Sequence, residues 1–128
     1  MSTIVKICGL KSAEAVAAAL AAGADMIGFV FFPKSPRHVS LDEAAALAVA
    51  ARGRAEIVAL TVDADDAAIT AIRDDLRPDW FQLHGKETPE RVAAVRQLAG
   101  TQVMKAIGVA EAADVARHVS YAPVVDRL

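Results

Sequence analysis

Short apolar runs alternate with alanine-rich stretches of helical spacing along the whole chain. The apolar runs are Ile4–Ile7, Met26–Phe32, Ile57–Val62, Trp80–Leu83, Val103–Ile107 and Val124–Leu128. Between them lie Ala13–Ala22, Leu41–Arg52, Asp65–Leu76, Pro89–Leu98 and Ala110–His118. Val16 and Leu20, and again Val92, Val95 and Leu98, fall at the i, i+3, i+4 intervals of a buried helix face. The strand runs are nearly continuous in their apolarity rather than alternating, as strands covered on both faces of a parallel sheet are. Helix starts are marked by Ser40 with Glu43 three residues on, a capping-box pattern, and by Thr88 followed by Pro89. Gly23, Gly53 and Gly100 stand where helices should stop. The resulting order, β-α repeated five times and then a sixth strand, calls for a parallel sheet with right-handed crossovers.

Two folds satisfy that order: an open doubly wound sheet and a closed (β/α)8 barrel. Each unit averages about 24 residues, so eight units need roughly 195, near the lower size limit of such barrels. The chain has 128 residues, which is five units and the opening of a sixth strand. In an open sheet that last strand would be an edge. In a barrel it would leave two unpaired edges and an open interior.

Composition narrows the class of function. With 55% hydrophobic and 23% charged residues, the chain is neither a disordered tail nor a linker. A net charge of −2, with no basic stripe, argues against a nucleic-acid binder that neutralises phosphates. The single cysteine cannot form an internal disulfide. No apolar run approaches the roughly 20 residues that span a bilayer, and Cys8-Gly9 follows Met1 too soon for a signal peptide. A soluble, cytoplasmic protein is the expectation.

Polar residues gather at the C-terminal ends of the strand runs, where open α/β sheets and barrels both place their active sites. Cys8 abuts Gly9 there, with Lys6 two residues back on the same strand face. A lone cysteine is often a small buried hydrophobe, but a neighbouring cation favours the thiolate that a base or nucleophile needs. One cysteine and scattered histidines lack the spacing of metal ligands. Arg37 lies in Phe32-Pro33-Lys34-Ser35-Pro36-Arg37-His38, a loop stiffened by two prolines. An arginine so placed suits a carboxylate or phosphate, although a solvated basic loop is the plainer reading. Lys34 and His38 are read as such loop residues. His84 ends the fourth strand and shares a face with Gln82, so both can line one cavity. His118 is read as a charge at a helix C-terminus, and Asp65 and Asp66 as helix-start carboxylates.

Three motifs then coincide. Lys6-Ile7-Cys8-Gly9-Leu10, Gly28-Phe29-Val30-Phe31-Phe32-Pro33-Lys34-Ser35-Pro36-Arg37, and Gln82-Leu83-His84-Gly85 with Glu87 occur in order, each at a strand end. Together they resemble the phosphoribosylanthranilate isomerases of tryptophan biosynthesis, over Ile4 to Leu128. The resemblance implies an α/β fold of the (β/α)8 TIM-barrel family, here incomplete, from β1-α1 through the start of β6, as one truncated domain over residues 1–128. It implies an Amadori rearrangement of a small phosphosugar substrate, N-(5-phosphoribosyl)anthranilate, with no metal or organic cofactor, by a monomer or homodimer. It gives Cys8 the role of base at C2 of the sugar and Arg37 that of holding the anthranilate carboxylate. Gln82 and His84 would line the pocket. The family's general-acid aspartate and phosphate-binding loops are expected beyond Leu128, and Asp126 lies too early in its strand to be that acid. The 128-residue chain alone is therefore expected to be inactive. The competing readings are another phosphosugar barrel, such as indole-glycerol-phosphate synthase or a histidine-pathway isomerase, and a non-catalytic α/β binding module.

Overall fold

The computed structural model describes residues 2–128. Five strands, β1 (Lys6–Cys8), β2 (Met26–Phe31), β3 (Glu56–Thr61), β4 (Trp80–Leu83) and β5 (Gln102–Lys105), pair in chain order. Every pairing is parallel, with Cys8 opposite Gly28, Gly28 opposite Val58 and Val58 opposite Trp80. Helices α1 (Ala13–Ala21), α2 (Leu41–Ala48), α3 (Asp66–Leu76) and α4 (Pro89–Ala99) connect them. Alternation along the strands divides the sheet into two faces. Ile27, Phe29, Ile57, Phe81 and Val103 pack with Val16, Ile69 and Val92 of the helices in the main core. The opposite face carries a smaller buried cluster of Met26, Val58, Trp80 and Met104.

Helix starts follow the sequence signals. Ser12, Ser40, Asp65 and Thr88 each accept a hydrogen bond from a backbone N–H three residues on, at 2.9 to 3.2 Å. Asp65 is thus a cap, while Asp66 opens α3 and pairs with Arg91. Two segments differ from expectation. The stretch expected as one helix over 110–118 forms two short ones, α5 (Ala112–Val115) and α6 (His118–Tyr121). Neither buries a residue, so no packed apolar stripe holds a single helix together. His118 accordingly opens α6, with Nδ1 2.6 Å from the carbonyl oxygen of Val115, the last residue of α5. The run expected as a strand from Val124 begins instead in a 3-10 turn over Ala122–Val124, which contains Pro123. The sixth strand is only begun, at Arg127, which bridges Met104 in parallel.

An aspartate closes alternate strand pairs at their N-terminal ends. Asp25 donates its N–H to Val5 O (2.9 Å), and its carboxylate accepts from Val5 N (2.7 Å). Asp79 makes the same two bonds with Ile57 (2.8 and 2.7 Å), and Asp126 with Val103 (2.8 and 2.8 Å). Each aspartate stands one residue before an even-numbered strand, so the structural repeat is two βα units rather than one. Asp126 is thereby placed at the opposite end of the sheet from Cys8, with Arg96 also on its carboxylate at 2.6 Å. Asp79→Ala removes the acceptor of the Ile57 N–H, in a residue whose side chain is wholly buried. The expected loss is about 1 kcal/mol, read by urea denaturation; an unchanged midpoint would show that water replaces the carboxylate.

Candidate active site

The chain builds a cavity of about 500 Å³ where the strands end. Cys8, Arg37, Gln82 and His84 all line it, together with Lys6. The side chains reach it by simple rules. Lys6 and Cys8 alternate to the same face of β1, and Gln82 and His84 to the same face of β4 and its end. Gln82 Nε2 lies 3.4 Å from His84 Nδ1. The Gln82 side-chain oxygen, Oε1, is buried with no hydrogen-bond partner among the described residues.

Two glycines make room for the reacting groups. A Cβ at Gly28 would lie 2.9 Å from Cys8 Sγ, so the thiol occupies the space that a side chain on β2 would take. Gly9 turns the chain out of β1 at φ 80°, a conformation that favours glycine. The Arg37 side chain lies against its open face, and the Arg37 N–H donates to Ser35 Oγ at 3.1 Å. Lys34 and His38 stay outside the cavity lining. His38 pairs with Val30 through a single bridge and is structural in that loop.

Beside the cavity the ends of β3, β4 and β5 are tied by a buried ion pair. Lys105 Nζ is 2.8 Å from Glu87 Oε1, both side chains 3% exposed, and also donates to Gly85 O at 2.8 Å. The Glu87 carboxylate accepts from the N–H of Asp63 (2.8 Å) and of Gly85 (2.9 Å). Asp63, at φ 49°, accepts in turn from the Lys86 N–H at 2.8 Å. Tyr121 donates its hydroxyl to Glu87 O at 2.7 Å. Burial opposes ionisation of the Glu87 carboxyl, but the Lys105 ammonium and the backbone N–H donors outweigh it and hold its pKa below the ordinary glutamate value. The pair fixes the backbone on both sides of His84.

The motifs that built this site are those of a known family. The profile described as N-(5'phosphoribosyl)anthranilate (PRA) isomerase matches residues 5–128. The chain belongs to this family. It is 59% identical over its 128 residues to the N-(5'-phosphoribosyl)anthranilate isomerase of Afipia carboxidovorans, covering all of this chain and 55% of that protein. Against the same-named protein of Rhodopseudomonas palustris it is 56% identical, covering 100% and 60%. The chain thus spans a little over half the length of these relatives. Among solved structures, the phosphoribosyl anthranilate isomerase of Thermotoga maritima superposes with a TM-score of 0.87 at 30% identity, covering 99% of this chain and 62% of that one. Another, in complex with reduced 1-(o-carboxyphenylamino)-1-deoxyribulose 5-phosphate, gives a TM-score of 0.90 at 29% identity, covering 99% and 66%. Within the family fold, the five parallel strands and their helices are the leading units of a (β/α)8 barrel, and the face carrying Cys8 and Gln82 is the barrel interior.

Reasoning from sequence named the four cavity residues but left Glu87 and Lys105 unpaired. A signal was available. Lys105 follows Met104 in an apolar run, so the two point to opposite faces, and a lysine buried in a sheet requires a carboxylate.

Proposed function

We propose that this chain forms the leading part of an N-(5'-phosphoribosyl)anthranilate isomerase acting in tryptophan biosynthesis in the cytoplasm. The reaction is the Amadori rearrangement of the phosphoribosylated amine to 1-(2-carboxyphenylamino)-1-deoxyribulose 5-phosphate. The observation that carries this reading is the convergence of Cys8, Arg37, Gln82 and His84 on one cavity at the strand ends. Protonation of the ribose ring oxygen opens the sugar to an iminium ion, which makes the C2 proton acidic. The Cys8 thiolate removes that proton; the C2–H electron pair forms the C1=C2 bond, and the C1=N pair returns to nitrogen. The enol then tautomerises to the ketone. Arg37 holds the anthranilate carboxylate with paired hydrogen bonds, while Gln82 and His84 shape the wall around the sugar. The proton donor lies in the part of the family's length that this chain does not span, since the Asp126 carboxylate is engaged by Val103 and Arg96 at the far end of the sheet. No metal or organic cofactor takes part, and the protein works as a monomer or a homodimer.

The test is the rearrangement itself, followed in a protein of the relatives' full length that carries this chain. Turnover is expected there and none from residues 1–128 alone. Arg37→Met is expected to raise KM by about ten- to a hundredfold, the equivalent of one lost charge-assisted pair, with a smaller change in kcat. Absence of turnover in the full-length protein, or an unaltered KM, overturns the reading.

A further inference from the structure

We infer that Lys11 is a positioning residue for Arg37, holding the backbone ahead of it through the Pro36 carbonyl so that the guanidinium stays at the cavity. Lys11 Nζ donates to Pro36 O at 2.9 Å, a contact that joins the loop after β1 to the loop after β2. That carbonyl and the Arg37 N–H belong to one planar peptide unit. The N–H donates to Ser35 Oγ at 3.1 Å, so both polar atoms of the unit are held. The pyrrolidine ring fixes φ at Pro36, and the two hydrogen bonds then limit ψ at Pro36 and φ at Arg37. Those torsions set the direction in which the Arg37 side chain leaves the backbone. It leaves towards β1, where a Cβ on Gly9 would collide with Arg37 Cδ.

Both ends of the tether are anchored. The N–H groups of Gly9 and Leu10 donate to Gly28 O, at 3.0 and 3.2 Å. Leu10 is buried in the main core, and Ser12 caps α1 by accepting from the Ala15 N–H at 3.1 Å. Lys11 stands between these two anchors and so projects from a defined point. On the other side, the Ser35 N–H donates to Phe32 O at 2.8 Å and the His38 N–H to Ser35 O at 3.1 Å, closing the turn that carries Pro36. β1 and β2 are adjacent in the sheet, and every group in this set of contacts lies within residues 9–38. Gripping a carboxylate with two parallel hydrogen bonds requires the guanidinium plane to be set, and an arginine on a loose loop would lose that freedom on binding. On the reading of Arg37 as the holder of the anthranilate carboxylate, on which this inference rests, Lys11 lowers that cost. The span from Cys8 to Arg37 is then set by the loop that directly follows Cys8.

The experiment uses the full-length protein. Lys11→Met is expected to raise KM for the rearrangement about three- to tenfold, the scale of one hydrogen bond from a charged donor partly replaced by water, with kcat within about twofold of wild type. Lys11→Arg keeps a cationic donor and is expected to restore KM. In an Arg37→Met background, Lys11→Met is expected to change KM by less than about 1.5-fold, because the group it positions is gone. A general structural role, or a charge acting on the ligand directly, would raise KM by the same factor in both backgrounds. Tryptic cleavage after Arg37, relative to cleavage after Arg54 at the other end of the sheet, needs no turnover. Lys11→Met is expected to raise that ratio about three- to tenfold as the untied loop opens more often. Lys11 is exposed, and Lys11→Gln serves as the neutral variant if Lys11→Met does not give a cooperative thermal melt. An unchanged KM, equal factors in the two backgrounds, or an unchanged cleavage ratio overturns the inference alone. An unaltered KM in Arg37→Met overturns the carboxylate reading, and the inference with it.

Discussion

Cys8→Ser, placed in a protein of the relatives' full length, is expected to lower kcat for the rearrangement by about a thousandfold, within the range that a positioned general base supplies. The substitution is close to isosteric, so the contact with Gly28, where a Cβ would lie 2.9 Å from the sulfur, is kept. What changes is the basicity available near neutral pH. A thiol yields thiolate there readily, whereas a serine hydroxyl does not ionise without a dedicated base. Among the described residues, His84 is the only imidazole lining the cavity, and its Nδ1 faces Gln82 Nε2 at 3.4 Å. The measurement is steady-state kinetics together with a thermal melt. A thousandfold fall in kcat with an unshifted melt assigns the loss to chemistry. Retention of more than about a tenth of the activity would remove Cys8 from the base role, because general bases contribute about a hundredfold or more.

The legibility of this fold varied with how local its causes are. Trp80–Leu83 is legible as a strand and is one, since Pro78-Asp79 and His84-Gly85 bracket a run that is apolar but for Gln82. Helix α4 was readable from Thr88 and Pro89 at one end and Gly100 at the other, where the chain turns to φ 66°. Helix α3 ends at Leu76, where the sequence segment also ends; Pro78 marks the stop, although Arg77 rather than a glycine takes the φ of 52° at the cap. The placement of Gln82 beside His84 needed only strand alternation, and Cys8 beside Lys6 likewise. The placement of Arg37 in the same cavity as Cys8, against Gly9, is of another kind. It depends on the register of β1 against β2 and on Gly9, which no spacing within either segment encodes. The aspartate clamps are visible in sequence only as Asp before an apolar residue at 25 and 79 and before Arg127 at 126. Their meaning appears when the partner, two units' length of chain apart in its recurrence, is seen to be the preceding strand. The segment from Ala110 onwards carries helical spacing but buries nothing along α5 and α6, so periodicity alone overstated it.

The second large effect is expected at the Glu87–Lys105 pair. Glu87→Leu should destabilise the protein by about 3–5 kcal/mol, because it leaves the Lys105 ammonium buried at 3% exposure without its counter-charge. It also strips the N–H groups of Asp63 and Gly85 of their acceptor. Most of that loss is the cost of an uncompensated charge rather than the net strength of the pair. The double variant Glu87→Leu/Lys105→Met should therefore be more stable than Glu87→Leu alone. The wild-type pair also carries an acid dependence of known sign. The Glu87 carboxyl has a folded-state pKa below its ordinary 4.5, so the unfolded chain binds a proton first as the pH falls. Its contribution is complete above about pH 4.5 and is lost as the pH drops through the lower folded value. Urea denaturation between pH 3 and 7 checks both points. The wild type should lose stability below pH 4.5 more steeply than the double variant, which lacks this carboxyl. If the two curves run parallel, the acid sensitivity belongs to other carboxylates; if Glu87→Leu matches the double variant, Lys105 has found another partner or water. His84 reports the functional consequence, since the Glu87 network holds Leu83 O and both backbone groups of Gly85 on either side of it. Loosening that network should raise KM before it alters the proton transfer at Cys8, because the base stands on β1 and is tied to none of these groups.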